Sequence, residues 1–102
     1  MKERKNISQL EVKELIQKGQ KVFIIDVRSQ EEYNKQHIPN AVNVTIEQIE
    51  KGELNIEKDT LIVTVCGKGG GRSESASNYI QNNYNQDVYF LEGGTFGWFM
   101  KF

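Results

Sequence analysis

Three short, nearly unbroken apolar runs stand out along the chain: Val22-Phe23-Ile24-Ile25, Leu61-Ile62-Val63-Thr64-Val65 and Val88-Tyr89-Phe90-Leu91. Their β-branched and aromatic content suits strands buried on both faces of a parallel sheet. Between them the apolar spacing turns helical. Ser8-Gln9-Leu10-Glu11 reads as a capping box, with Ile7 and Val12 placed as a hydrophobic staple. Leu15 and Ile16 continue that face until Gly19, predicting a helix over 8–18. A second box, Ser29-Gln30-Glu31-Glu32, opens a short helix carrying Tyr33, and His37-Ile38-Pro39-Asn40 reads as a turn. Ala41 to Val44 predicts another short strand. Ile46, Ile49 and Glu50 suggest a brief helix or turn ahead of the polar link 55–59. Residues 73–84 place Ala76, Tyr79, Ile80 and Tyr84 on one helical face. Beyond the break at Glu92-Gly93-Gly94, the aromatic residues Phe96, Trp98, Phe99 and Phe102 are expected to pack as a terminal turn or helix.

Strands alternating with helices imply an α/β fold. A mostly parallel central sheet carries helices on both faces, and ligands bind at the carboxyl ends of the strands. At 102 residues the chain suits one compact domain over 1–102, with no internal repeat, linker or low-complexity tract. Thirteen basic and fourteen acidic side chains, intermixed to a net charge of −1, leave no basic stripe for a polyphosphate backbone, so nucleic acid is not an expected partner. The apolar runs fall far short of a membrane span, and Met1-Lys2-Glu3-Arg4-Lys5-Asn6 lacks a signal-peptide core. The expected location is cytoplasmic, with no membrane partner.

Cys66 is the single cysteine, so no internal disulfide can form and a free thiol is left for chemistry. It stands where the second apolar run breaks into Gly67-Lys68-Gly69-Gly70-Gly71-Arg72 before a helix. Four glycines allow consecutive backbone N–H groups to turn inward as an anion-binding nest, with the helix dipole pointing the same way. A thiol at the centre of such a nest, with Lys68 and Arg72 beside it, is expected to ionise readily. A lone cysteine after a strand is also commonly a small buried hydrophobe. The two cations spaced around a glycine loop are what a core strand end does not need, and they favour function.

Three separated blocks resemble the rhodanese-like sulfurtransferase family. They are Ile25-Asp26-Val27-Arg28 with Glu31-Glu32-Tyr33 and His37 to Ala41; Val65-Cys66 through Arg72-Ser73; and Phe90-Leu91-Glu92-Gly93-Gly94 with Trp98. In order and separation they span nearly the whole chain. The resemblance implies a single rhodanese-like domain in which Cys66 accepts a sulfane sulfur as a persulfide, as in a thiosulfate sulfurtransferase. Its partners are then a small-molecule sulfur donor and a thiol or cyanide acceptor, a protein persulfide partner being the larger alternative; no cofactor or metal is called for. Cys66 is the implied catalytic residue, with Gly67, Lys68, Gly69, Gly70, Gly71 and Arg72 binding substrate.

Asp26 and Arg28 read as supporting residues whose ion pairs, with Glu32 following, fix loops around a site; direct ligand binding is the lesser alternative. His37 has no neighbouring second metal ligand, and in the family pattern its position organises a turn. Trp98 and its aromatic neighbours read as core or rim packing.

Two departures from the family pattern matter. Arg72 stands six residues after Cys66 rather than the usual five. The string Cys66 to Ser73 thereby also resembles the phosphate-binding loop of cysteine phosphatases and of arsenate reductases on the same fold. An oxyanion enzyme of that kind is the alternative activity, and a non-catalytic interaction module is a third. Against dephosphorylation, the loop carries no general acid, and Val65 stands where a histidine commonly precedes the phosphatase cysteine. Arsenate reduction needs an external thiol, because there is no second cysteine to resolve the intermediate. The chain also stops at Phe102, soon after the Gly-Gly-Trp block, which predicts an abbreviated last helix.

Overall fold

The computed structural model describes residues 6–68, 71–84 and 86–100. Ten elements follow one another: β1 Asn6–Ile7, α1 Gln9–Gln17, β2 Val22–Asp26, α2 Gln30–Lys35, β3 Val42–Asn43, α3 Ile46–Glu50, β4 Leu61–Val65, α4 Gly71–Asn83, β5 Val88–Leu91 and α5 Gly94–Phe99. The five strands form one sheet in the order β1-β5-β4-β2-β3, and every neighbouring pair is parallel. Parallel pairing requires each connection to cross over a face of the sheet, which is why a helix separates each pair of successive strands.

Side-chain alternation along the central strands sends residues to two separate cores. Ile24, Val63 and Val65 face a layer containing Ile7, Val12, Ile38, Ala41 and Leu91, with Tyr33 and Trp98 partly buried against it. Ile25, Val27 and Ile62 face the other layer, where α3 contributes Ile49 and α4 contributes Ala76 and Ile80. Cys66 extends the alternation onto this second face. The central strands are apolar throughout because both of their faces are covered.

Both expected capping boxes form. The Ser8 hydroxyl accepts from the Glu11 amide while the Glu11 carboxylate accepts from Ser8 N–H, and Ser29 pairs with Glu32 in the same way. A third box, Thr45 with Gln48, caps α3. Ile38-Pro39-Asn40-Ala41 closes as a tight turn, with Ala41 N–H donating to Ile38 O at 2.9 Å and Asn40 at φ 70°. Proline followed by a left-handed asparagine is the pattern of a type II turn.

Three boundaries differ from expectation. The third strand is shorter than 41–44, pairing only at Val42 and Asn43. The N-terminal strand Asn6–Ile7, which no pattern announced, is a two-residue edge partner of β5. The fourth helix begins at Gly71 and ends at Asn83 rather than running 73–84, so Arg72 belongs to its first turn instead of to the preceding loop.

Candidate active site

Cys66 follows directly on β4, the middle strand of the sheet, and sits at the strands' carboxyl ends. Backbone hydrogen bonds from two sides hold this point. Val27 N–H donates to Val65 O at 3.0 Å, Thr95 N–H to Cys66 O at 2.8 Å, and Phe96 N–H to Gly67 O at 3.0 Å. The segment bearing the thiol is thus tied to the end of β2 and to the first turn of α5. That turn is aimed by two consecutive left-handed glycines, Gly93 at φ 76° and Gly94 at φ 60°. Side chains with a Cβ are strained there.

The thiol is 3% exposed and donates to the Ser73 hydroxyl at 3.3 Å. Ser73 is itself buried in the first turn of α4, and its carbonyl accepts from Thr64 Oγ1 at 2.8 Å, which fixes the helix start against β4. Cys66, Gly67, Lys68, Gly71, Arg72 and Phe96 line a cavity of about 250 Å3. Cys66 is therefore both a core neighbour of Ile25, Ile62 and Ala76 and part of the wall of an open pocket. The buried-hydrophobe reading fits the side of the residue that faces the core; its other side faces the cavity. Gly69 and Gly70, the centre of the expected amide nest, lie outside the described residues; Gly71 stands in the helix.

Arg72 does not present a free guanidinium to this cavity. Its two terminal nitrogens donate to the two carboxylate oxygens of Glu32, Nη1 to Oε1 at 3.0 Å and Nη2 to Oε2 at 3.2 Å. The hydrogen bond from Arg72, aided by the Ser29 amide, lowers the Glu32 pKa from 4.5 to about 2. Glu32 in turn raises that of Arg72. The expectation that Glu32 would join Asp26 and Arg28 is corrected: its one carboxylate closes the capping box and reaches Arg72, in the first turn of α4, forty positions away.

Asp26 and Arg28 form a pair of their own beside the site. Arg28 Nε donates to Oδ1 at 2.9 Å and Nη2 to Oδ2 at 2.8 Å, with both side chains buried. Arg28 Nη2 also reaches Gln36 O, and Asn43 Nδ2 bridges Asp26 O and Arg28 O. Both Asp26 carboxylate oxygens and the Arg28 Nε and Nη2 donors have partners, the kind of satisfaction a buried ion pair requires. Neither residue lines the cavity. His37 is also apart from it, stacked on Tyr33 with ring centroids 3.8 Å apart and Nδ1 2.9 Å from Tyr33 O.

Phe96, Trp98 and Phe99 form the expected terminal helix, α5, and Trp98 packs against the core, but the two phenylalanines are left largely exposed. Trp98 is half-buried, with Lys13 Nζ 4.8 Å from its ring centroid, whereas Phe96 and Phe99 are 49% and 41% exposed. Phe102 lies outside the described residues. The Phe96 ring covers Gly67 so closely that a Cβ at Gly67 would stand 3.2 Å from Phe96 Cε2. Neither Phe96 as a wall of the cavity nor Ser73 as the thiol's partner was picked out from sequence. Apolar spacing alone does not distinguish an aromatic that packs inward from one that roofs a neighbouring loop.

The model of the rhodanese-like domain matches residues 8–101. The thiosulfate sulfurtransferase GlpE of Coxiella burnetii is 30% identical over 94 residues, covering 92% of this chain and 86% of that protein. The crystal structure of a rhodanese-like domain protein from Staphylococcus aureus superimposes with a TM-score of 0.80 at 31% identity, covering 92% of this chain and 90% of that one. The human single-domain sulfurtransferase TSTD1 shares the fold, with a TM-score of 0.78 at 22% identity over 94% of this chain and 96% of its own. Parallel sheet, helix layers, the position of Cys66 and these similarities agree, and the chain belongs to the rhodanese-like domain family.

Proposed function

We propose that this chain, as a single domain over 1–102, is a sulfurtransferase in which Cys66 carries a sulfane sulfur from a donor of the thiosulfate type to a thiophilic acceptor. The observation that carries the reading is the sole thiol at the wall of an open cavity, with Lys68 and Arg72 on the same wall. A relative named as a thiosulfate sulfurtransferase, matched over nearly the whole chain, supports it.

In the first half-reaction the Cys66 thiolate attacks the outer sulfur of the donor. The sulfur–sulfur bond of thiosulfate breaks, sulfite leaves with the electron pair, and Cys66 is left as a persulfide anion. Lys68 supplies a mobile cation for the donor's oxygens, and the Ser73 hydroxyl turns to donate to sulfur once the thiol has lost its proton. In the second half-reaction cyanide or a thiolate attacks the outer persulfide sulfur and Cys66 leaves as thiolate. No general acid is needed, because each leaving group departs as a stable anion. No carboxylate stands among the described residues lining the cavity, which favours this chemistry over phosphate-ester hydrolysis, whose alkoxide leaving group wants a proton.

Intact-mass measurement after incubation with thiosulfate tests the proposal. The protein should gain one sulfur atom, lose it on addition of cyanide, and gain none as Cys66→Ser. An equal gain in Cys66→Ser, or none in the wild type with any sulfane donor, overturns it.

A further inference from the structure

We infer that the Cys66 cavity selects a sulfane-sulfur donor that carries one negative charge and an organic group, of the thiosulfonate class R–SO2–S⁻, over the inorganic thiosulfate dianion, and that Phe96 is the residue that sets this preference. The inference rests on the sulfurtransferase reading and narrows its substrate class.

Two independent observations lead to it. The first is charge. The fork of Arg72 is spent on both oxygens of Glu32, so that pair contributes no net charge at the cavity wall. Asp26 and Arg28 neutralise one another behind the site. Among the described residues lining the cavity, Lys68 is then the one cation whose charge no ion pair compensates. One cation facing one thiolate suits a singly charged donor better than a doubly charged one, since the second charge lacks a counter-ion and is repelled by the thiolate.

The second observation is the apolar wall. Phe96 is half-exposed yet held in place. Its amide is bonded to Gly67 O at 3.0 Å, and its ring edge occupies the space that a side chain at position 67 would take. A mobile surface phenylalanine carries no meaning, but one fixed over the loop and lining the thiol's cavity gives an organic group a flat surface to stack on. Inorganic thiosulfate has nothing to place there.

The reaction balances without further reagents. The Cys66 thiolate attacks the outer sulfur of R–SO2–S⁻, the bond from that sulfur to the sulfonyl sulfur breaks, and the sulfinate R–SO2⁻ leaves with the electron pair. Cys66 keeps the transferred sulfur as a persulfide anion, and no proton, oxidant or reductant is consumed.

Three donors separate the two contributions: thiosulfate, methanethiosulfonate and benzenethiosulfonate. Each rate of persulfide formation is compared between wild type and variant, so the donors' intrinsic reactivities cancel. Phe96→Ala should lower the benzene-to-methane preference by about three- to tenfold, as loss of an aromatic contact does. Glu32→Gln, which frees the Arg72 charge, should shift the preference toward thiosulfate over methanethiosulfonate by about two- to fivefold. Independently of any variant's folding, benzenesulfonate should protect wild-type Cys66 from alkylation at a several-fold lower concentration than methanesulfonate. Unchanged preference in Phe96→Ala, or equal protection by the two sulfonates, overturns the inference while leaving sulfur transfer intact. Absence of a persulfide with all three donors overturns the sulfurtransferase reading itself.

Discussion

The Cys66 sulfur and the Ser73 hydroxyl oxygen stand 3.3 Å apart, joining the end of the central strand to the first turn of the helix that follows it. In the thiol form sulfur donates; in the thiolate form the hydroxyl is positioned to donate back. A hydrogen bond to a charged acceptor contributes about 1.5–3 kcal/mol. Ser73→Ala should therefore slow sulfur uptake about tenfold or more, followed as the rate of mass gain. The Ser73 carbonyl that accepts from Thr64 is retained in the variant, so its thermal melt should stay close to that of the wild type. A rate equal to the wild type's would remove Ser73 from the mechanism.

The Glu32–Arg72 pair makes a prediction with a definite sign in pH. Glu32 has a folded-state pKa lowered to about 2 from 4.5, so the pair's stabilisation is fully present above pH 4.5 and is lost as pH falls through 2. Both side chains are well exposed, at 49% and 38%, and solvent screening keeps the contribution to about 1 kcal/mol or less. Glu32→Gln should melt slightly below the wild type at pH 7, and the difference should shrink steadily below pH 4.5. A difference that grows on acidification contradicts the pairing.

Asp26 and Arg28 are a different case, because neither has water to fall back on. Removing one partner strands a buried charge, at a cost of about 3–5 kcal/mol. Asp26→Ala should show a loss of that size in chemical denaturation, and Asp26→Asn a smaller one. Arg28 N–H and Nε both donate to Oδ1, and an asparagine oxygen can keep one such acceptor. Wild-type stability in Asp26→Ala would show that the pair is dispensable.

Gly67 and Phe96 should behave as a coupled pair. A methyl group at Gly67 meets the Phe96 ring at 3.2 Å, so Gly67→Ala has to displace the ring or strain the loop, at about 1–3 kcal/mol. In a Phe96→Ala background the same substitution should cost much less. A double-mutant cycle on stability and on sulfur uptake measures this coupling, and strict additivity would mean that the ring does not rest on the loop.

Lys68→Ala should raise the thiosulfate concentration needed for half-maximal sulfur uptake while changing the saturated rate less, since Lys68 is an exposed, mobile charge that meets the donor before the reaction. Steady-state kinetics over a donor series separate the two effects. A fall confined to the saturated rate would instead place Lys68 at the reacting atoms.

How far the sequence reached depended on whether the determining interactions are local. Ser8 with Glu11 and Ser29 with Glu32 are three residues apart, and such caps are readable from the chain alone. The Thr45–Gln48 cap obeys the same rule and was available to the same reading, but the weak apolar pattern around Ile46 and Ile49 left that helix undefined. The β2, β4 and β5 strands were legible because burial on both faces leaves nearly continuous apolar runs. Asn6–Ile7 was not, since two residues set no period and their strand character comes entirely from pairing with β5. At the site, Cys66 and its cations were visible as a local string. The partner of Arg72 was not, because nothing in the neighbourhood of Glu32 reveals a helix cap whose second oxygen is used across the fold.

The dependence of the Cys66 loop on α5 also bears on how the protein comes into being. The carbonyls of Cys66 and Gly67 are satisfied by the amides of Thr95 and Phe96, well downstream in the chain, and β1 acquires its partner only when β5 exists. During synthesis from the N-terminus the strand bearing the thiol emerges while both of these supports are still to be made, so the nascent loop has no fixed shape and its cavity no wall. If Cys66 transfers sulfur as proposed, that chemistry waits until the chain through α5 has left the ribosome. A polypeptide arrested before Thr95 should present an ordinary cysteine, open to oxidation and to the cell's thiol-reducing systems rather than to a selected donor.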